Sequence, residues 1–433
     1  MSSQKNKFEI YRWSGYILIL IAYCLVIFHR LSLGAAKAEL EAIYGISALQ
    51  YSRLSSAYFY TYAFMQIPAG ILADSLGSRK TAFAGCMFMG AGACLYGLAG
   101  SYPVLLATRA LVGFGASGMF LSILKYETVW FDETRFGTIT GVTSLLSNLT
   151  GCLAQAPLAL MIAWLSWRTT FLSVGSLTLL VGFLVLIAVV DRPADRGFPP
   201  VAGSSPQTNE KVSIPEGMKG VLSSRYIYPV LLVNFCANGI FVAMMNWAIP
   251  YLSDVFGMSS AQAGKITVFI PVCAALTGFL SGKISDRLEN RKILNIAVAF
   301  VLTAAFALMW AFKDRVVLLP LSVCIVIMGG LGIVHVINYG LVKDVCDIKY
   351  SGMATSVLNV ATFLGSSILP VRFGAIIEKH GTGAAAYGSA FGMLAVFAFV
   401  EFAASFLILE TNCRNRFAEI RAGSYKKSIF SLK

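Results

Sequence analysis

The stretch Gly70-Ile71-Leu72-Ala73-Asp74-Ser75-Leu76-Gly77-Ser78-Arg79-Lys80 decides the fold, because one apolar helix runs into it and another leaves it. Only this short charged turn separates them. A second copy, Gly282-Lys283-Ile284-Ser285-Asp286-Arg287-Leu288-Glu289-Asn290-Arg291-Lys292, repeats the Gly, the Asp and the closing Arg-Lys pair 212 residues on (282 − 70, 286 − 74 and 291 − 79 alike). A repeat this long means two similar halves.

Working outward, the 433 residues are 57% hydrophobic and only 13% charged, too apolar for a soluble chain of this length. The composition is that of a bilayer protein. A helix crosses hydrocarbon with about 20 apolar residues, and about twelve such stretches can be read. The net charge of +13 then reports topology rather than nucleic-acid binding, since Lys and Arg gather in cytoplasmic loops. The polar, basic start Met1 to Arg12 lacks a signal-peptide pattern, because the apolar run behind it is too long and no small-residue cleavage site follows. Nine cysteines without C-x-x-C spacing read as small buried hydrophobes rather than disulfides or metal ligands.

In chain order the expected spans lie near Tyr16 to Ala36, Leu54 to Ala73, Thr81 to Gly100, Pro103 to Leu124, Ile139 to Ala163 and Thr169 to Val190. The polar segment Asp191 to Arg225, with Pro193, Pro199-Pro200 and Gly203-Ser204-Ser205-Pro206, reads as a linker. The second set lies near Tyr228 to Leu252, Ala261 to Gly282, Ile293 to Phe312, Val316 to Leu341, Ala354 to Ile376 and Ala384 to Leu409. The expected organisation is a six-helix bundle over 1–190, a cytoplasmic linker over 191–225, a second bundle over 226–410 and a basic tail over 411–433. With the N-terminus inside, 23 of the 34 Lys and Arg residues fall in cytoplasmic segments. Both termini and the linker are therefore expected in the cytoplasm.

The two charged turns and the twelve-span plan resemble the major facilitator superfamily over essentially the whole chain. Arg109-x-x-x-Gly113-x-Gly115-x-x-Gly118 is similar to that superfamily's fourth-helix motif, and Trp167-Arg168-Thr169-Thr170-Phe171 to its W-R-x-x-F pattern at the sixth helix. The resemblance implies an all-α membrane protein of two six-helix pseudo-repeats, a carrier alternating between outward-open and inward-open states around a midplane site. It also implies a conformational latch made by Gly70, Asp74, Gly77, Arg79 and Lys80, with Asp286, Arg287, Arg291 and Lys292 in the second copy. Asp74 would then face the start of helix eleven near Ser351 and Gly352, and Asp286 the start of helix five near Gly137. A carboxylate at a helix N-terminus is worth about 0.3 to 1 kcal/mol. The bland alternative is that the basic pairs are topology anchors, and Glu289 replaces the second Gly of the repeat.

Gly113, Gly115 and Gly118 allow close backbone approach between membrane helices. Arg109, costly inside a span, is expected in a structural or proton-relay role. Arg30 closes the apolar run Ile17 to Phe28, and Lys125 stands just before Tyr126-Glu127-Thr128-Val129-Trp130-Phe131. A first-helix Arg and a cation ahead of a fourth-helix W-F pair resemble the anion:cation symport and sugar-phosphate branches, as do Tyr58-Phe59-Tyr60-Thr61-Tyr62 and Trp247-Ala248-Ile249-Pro250-Tyr251-Leu252. Two cations near one cavity would hold a carboxylate or phosphate. Snorkelling to opposite interfaces is the alternative.

Polar residues at helical spacing extend the expected substrate site to Tyr58, Tyr62 and Gln66, to Asn148, to Asn238, and to His335, Asn338 and Tyr339, with Trp247 beside them. Packing hydrogen bonds between helices would equally explain them. His29, Glu127 and Glu401 are the expected proton carriers. No phosphate-cradling loop, metal cluster or ATP-hydrolysing domain is present in the sequence, so neither enzyme activity nor a metal or other cofactor is expected. The reading is a monomeric secondary transporter of the bacterial inner membrane, taking up a small organic anion with protons or by exchange with a counter-solute. Its partners are that solute, the coupling proton and membrane lipid, without nucleic acid. Proton-coupled efflux of a metabolite, siderophore or drug, and a transporter-like solute sensor, are the alternatives.

Overall fold

A computed structural model describes residues 2–199, 214–311, 334 and 337–422. Among the described residues every regular element is helical. Large apolar side chains stand exposed, Phe64 and Trp164 at 80% and 81%. Among the described residues nine helices are long and apolar enough to cross a membrane, or ten if one bent pair counts as one span. The expected tenth span, Val316 to Leu341, lies almost wholly outside the described residues. The fold class is an all-α membrane protein.

The chain divides into two compact units, Met1–Ile46 with Arg53–Asn209, and Ser47–Ser52 with Glu210–Lys433. In the first, α1 (Ser2–Leu31) begins earlier than expected, because the Phe8-Ile10-Tyr11 segment continues the helix ahead of the apolar run. It stops at Leu31 and gives way to a 3-10 turn and the short α2 (Lys37–Tyr44). The second and third spans run together as α3 (Ala48–Leu98), broken at Gly77, whose φ of 86° and ψ of 170° are not helical. Glycine takes this left-handed region without a Cβ penalty.

Three expected spans, the fourth, fifth and eighth, are broken. The fourth is α4 (Tyr102–Ala116) and α5 (Met119–Trp130), interrupted at Ser117-Gly118. The fifth is α6 (Glu133–Leu153) and α7 (Ala156–Leu165), bent by 41°; Pro157 has no N–H to continue the ladder. The sixth is α8 (Trp167–Ala188). Helix α1 packs against α5, α6 and α8. Arg168, in the W-R-x-x-F stretch, donates to the carbonyls of Gly97 and Ala99 (3.1 and 2.9 Å), satisfying acceptors left at the end of α3.

In the second unit α9 (Ile214–Leu222) precedes α10 (Ile227–Phe256). The eighth span is α11 (Ser260–Thr267) and α12 (Phe269–Leu288), parted at Val268, where Pro271 cannot bond back to Thr267. Then come α13 (Arg291–Ala311), α14 (337–344), α15 (Ser351–His380), α16 (Ala384–Leu407) and the short α17 (Phe417–Arg421). Helix α10 lies along α15, and α13 along α16. The eight described cysteines are free thiols.

Candidate functional site

In the first unit the C-terminal end of α1 carries two adjacent residues with different surroundings. The guanidinium of the half-buried Arg30 lies 5.1 Å from the ring centre of Tyr62, with Tyr58 and Tyr23 as its other electrostatic neighbours. Tyr58 and Tyr62, one helical turn apart on α3, stack at 5.9 Å. Gln66, a further turn along, is buried. Cation–π contact holds a guanidinium in place while leaving its N–H edge for other partners.

His29 turns the other way, its Nε2 3.0 Å from the Thr178 hydroxyl on α8. Its carbonyl accepts Arg109 Nη1 at 3.0 Å, and the Arg109 guanidinium packs 5.4 Å from the Tyr58 ring. Arg109 thus ties α4 to α1 and α3. The neighbouring Gly113 makes that closeness possible, since a Cβ there would meet the Tyr58 carbonyl oxygen at 2.2 Å. Gly115 and Gly118 face Gly85 and Thr81 in the same way.

Lys125 is half-buried on α5. The adjacent Tyr126 donates to the carbonyls of Tyr11 and Arg12 (3.1 and 3.0 Å). From Arg12 to Arg30 there are 18 residue steps, about 27 Å of helix at 1.5 Å each. The neighbour of Lys125 thus bonds to the start of α1, whereas Arg30 stands at its end.

Glu127 is fully buried and accepts hydrogen bonds from Thr140 (2.6 Å) and Thr143 (2.5 Å) on α6. The Tyr16 hydroxyl on α1 meets Thr143 Oγ1 at 2.9 Å. With the Thr143 proton already given to Glu127, Tyr16 is the donor. Three helices thus converge on one carboxyl.

The charged turn of the first unit is closed by a residue that sequence reasoning placed in the linker. Asp191 Oδ1 accepts the Arg79 backbone N–H at 2.8 Å, and Arg79 Nε donates to the Leu186 carbonyl at 2.7 Å. Lys80 is exposed. The side-chain surroundings of Asp74, Asp286 and Gly137, on which the latch expectation turned, lie outside the described residues, as do those of Gly70.

In the second unit the matching turn is closed by Glu410, which accepts the Lys292 backbone N–H at 2.7 Å. Lys292 Nζ donates to the Phe406 carbonyl at 2.7 Å, and Arg291 pairs with Asp344. Burial pushes the Asp344 carboxyl up, against the opposing pull of Thr411 and Arg291. Arg287 is exposed. Asp191, Glu410 and Asp344 were missed because their partners are distant in sequence. The signal available was an acid directly after the last apolar residue of the sixth and twelfth spans.

Helices α10, α14 and α15 bring together a chain of amides. Asn234 Nδ2 donates to Thr362 Oγ1 (2.6 Å), and Asn338 Nδ2 donates to Asn234 Oδ1 (3.1 Å). Tyr339 donates to Asn359 beside them. Asn238 Nδ2 is used on the Asn234 carbonyl at 3.1 Å. Trp247 is buried against Phe373, with ring centres 5.3 Å apart. Glu401 on α16 is fully buried, its two carboxyl oxygens without a hydrogen-bond partner among the described residues, and Cys236 is an electrostatic neighbour. The side-chain surroundings of Asn148, and His335 altogether, lie outside what is described.

Residues 19–370 match the sequence model of the Major Facilitator Superfamily. The chain is 25% identical to the probable sulfoacetate transporter SauU of Cupriavidus necator, over 84% of this chain and 88% of that one. It is 24% identical to the probable galactarate/D-glucarate transporter GudP of Escherichia coli, over 86% and 88%. The fold is shared with the crystal structure of a bacterial homolog of the human lysosomal transporter Spinster, at a TM-score of 0.73 and 18% identity, covering 93% of this chain and 98% of that one.

Proposed function

The chain belongs to the Major Facilitator Superfamily, and from that premise we propose that it carries a small organic anion across the bacterial inner membrane by alternating access. The driving force is a proton gradient or exchange for a counter-solute, and both termini lie in the cytoplasm. The observation that carries the anion is Arg30, a guanidinium set on the ring of Tyr62 among further phenols. A charge held within a span is a functional group by default, because its insertion costs a few kcal/mol or more. Arg presents a planar fork that matches a carboxylate or sulfonate. The names of the relatives, a sulfoacetate and a galactarate/D-glucarate transporter, agree with an anionic solute. Glu127, with its hydroxyl donors Thr140 and Thr143, is the carboxyl we assign to proton coupling, ahead of His29 and Glu401.

The test is thermal unfolding of the purified protein with sulfoacetate, galactarate, a neutral sugar and a cationic drug. A ligand that binds only the folded state raises stability by RT ln(1 + [L]/Kd). An anion-specific rise that disappears in Arg30→Ala is expected. A rise with neutral or cationic solutes alone, unchanged in Arg30→Ala, would overturn the proposal.

A further inference from the structure

The amide chain of the second unit has a direction. The Thr362 hydroxyl donates to the Leu358 carbonyl one turn back, at 2.9 Å. Its oxygen is therefore the acceptor for Asn234, at 2.6 Å. Asn234 must present its NH2 to Thr362, which leaves its carbonyl oxygen facing Asn338, at 3.1 Å. Asn338 in turn must present its NH2 to Asn234, so its own Oδ1 points onward. That oxygen is buried, on a side chain that is 0% exposed, and among the described residues no donor reaches it. Each link is fixed by the one before, beginning at a helix carbonyl that can only accept. The chain thus ends in a hydrogen-bond acceptor.

We propose that Asn338 accepts a hydrogen bond from a hydroxyl group of the transported solute, so that the substrate class is hydroxylated organic anions. This rests on the anion-transport reading above and narrows it. A buried acceptor without a donor costs free energy that a solute O–H recovers on binding. A sulfoacetate-like solute carries only acceptors on its two acidic groups and cannot recover it. An ammonium group is disfavoured, because Asn234, Asn338 and Thr362, with Tyr339 and Asn359 beside them, are all neutral and a buried cation needs a counter-charge. The site therefore selects for hydroxyls.

The experiment compares galactarate with adipate, dicarboxylates of equal length that differ in their hydroxyls, by ligand-induced thermal stabilisation of the full-length protein. The parent is expected to bind galactarate at least tenfold more tightly. In Asn338→Leu that preference falls towards unity while adipate binding persists. Thr362→Val, which removes the anchor that orients both amides and keeps the side-chain shape, is expected to weaken the preference to an intermediate value and guards against misfolding of the first variant. Equal binding of the two acids by the parent, or a preference that survives both substitutions, overturns this inference and leaves anion transport standing. If neither acid nor sulfoacetate stabilises the parent, both fall together.

Discussion

The carboxylate of Asp191 accepts the backbone N–H of Arg79 at 2.8 Å and lies where a side chain on Gly77 would have to go, 2.7 Å from an ideal Cβ. The end of the sixth span thereby caps the turn between the second and third. In the second unit Glu410 does the same for Lys292 at 2.7 Å. Asp191→Ala should lower the unfolding temperature through an orphaned N–H, at a cost of about 1–3 kcal/mol. Gly77→Ala should cost about 1–3 kcal/mol through its left-handed backbone and the collision. Because the two positions touch, the double variant should be less destabilised than the sum. Strict additivity in thermal unfolding would show that the contact carries no energy.

Glu289 stands 212 residues after Gly77 (289 − 77) and keeps a left-handed backbone, φ 44°, at the end of α12. A side chain there is strained by about 1–2 kcal/mol. Glu289→Gly should therefore raise stability by roughly 1 kcal/mol, read as a higher unfolding temperature. A fall would mean that the exposed carboxylate of Glu289 contributes more than its backbone costs.

Arg30→Lys should keep the charge and lose the planar fork and the stacking on Tyr62. Anion affinity should drop about tenfold, with Arg30→Ala lower still. Equal affinity in Arg30→Lys and the parent, measured by ligand-induced stabilisation, would reduce the residue to a point charge.

Glu127→Gln keeps the shape and an acceptor oxygen for one of Thr140 and Thr143, but its amide does not titrate. In proteoliposomes, solute exchange without a gradient should persist, while accumulation driven by an imposed pH gradient should disappear. Gradient-driven accumulation at the parental rate would remove Glu127 from the proton path.

The linker helix α9 is tied down by Glu216, which accepts from Lys349 Nζ (3.0 Å) and the Tyr350 hydroxyl (3.1 Å). Lys349 first, then Tyr350, holds the Glu216 carboxyl below its usual value. A lowered carboxyl pKa adds stability that is complete above the unfolded value, about 4.3, and is lost as pH falls through the folded one. Amide protection over 214–222 should thus be steady from pH 7 to 5 and fall below about pH 4. In Lys349→Ala, protection at pH 7 should already be reduced; an unchanged profile would show that the pair does not hold the helix.

Much of this was legible in the chain. The apolar run lengths placed the described spans to within about six residues, apart from the early start of α1. The 212-residue repeat announced two halves, and the Arg109 and glycine spacing pointed to close packing of α4. The breaks in the fourth, fifth and eighth spans were less visible, because a Pro or Gly inside an apolar stretch is tolerated when neighbouring helices satisfy the freed backbone groups. The level of Lys125 relative to Arg30 was not legible for a related reason. Sequence spacing fixes which face of a helix a residue occupies, but not the level at which two helices pass.

What the sequence by itself determined is the solvent and the architecture: an apolar chain must form spanning helices, and a duplicated charged turn must recur at equivalent places. What only the tertiary structure decided is partnership. Asp191 with Arg79, Glu410 with Lys292, Tyr16 with Thr143 and Asn234 with Asn338 are joined across helices far apart in the chain. A hydrogen bond is set by distance and angle, and in a helical membrane protein those follow from how whole helices pack.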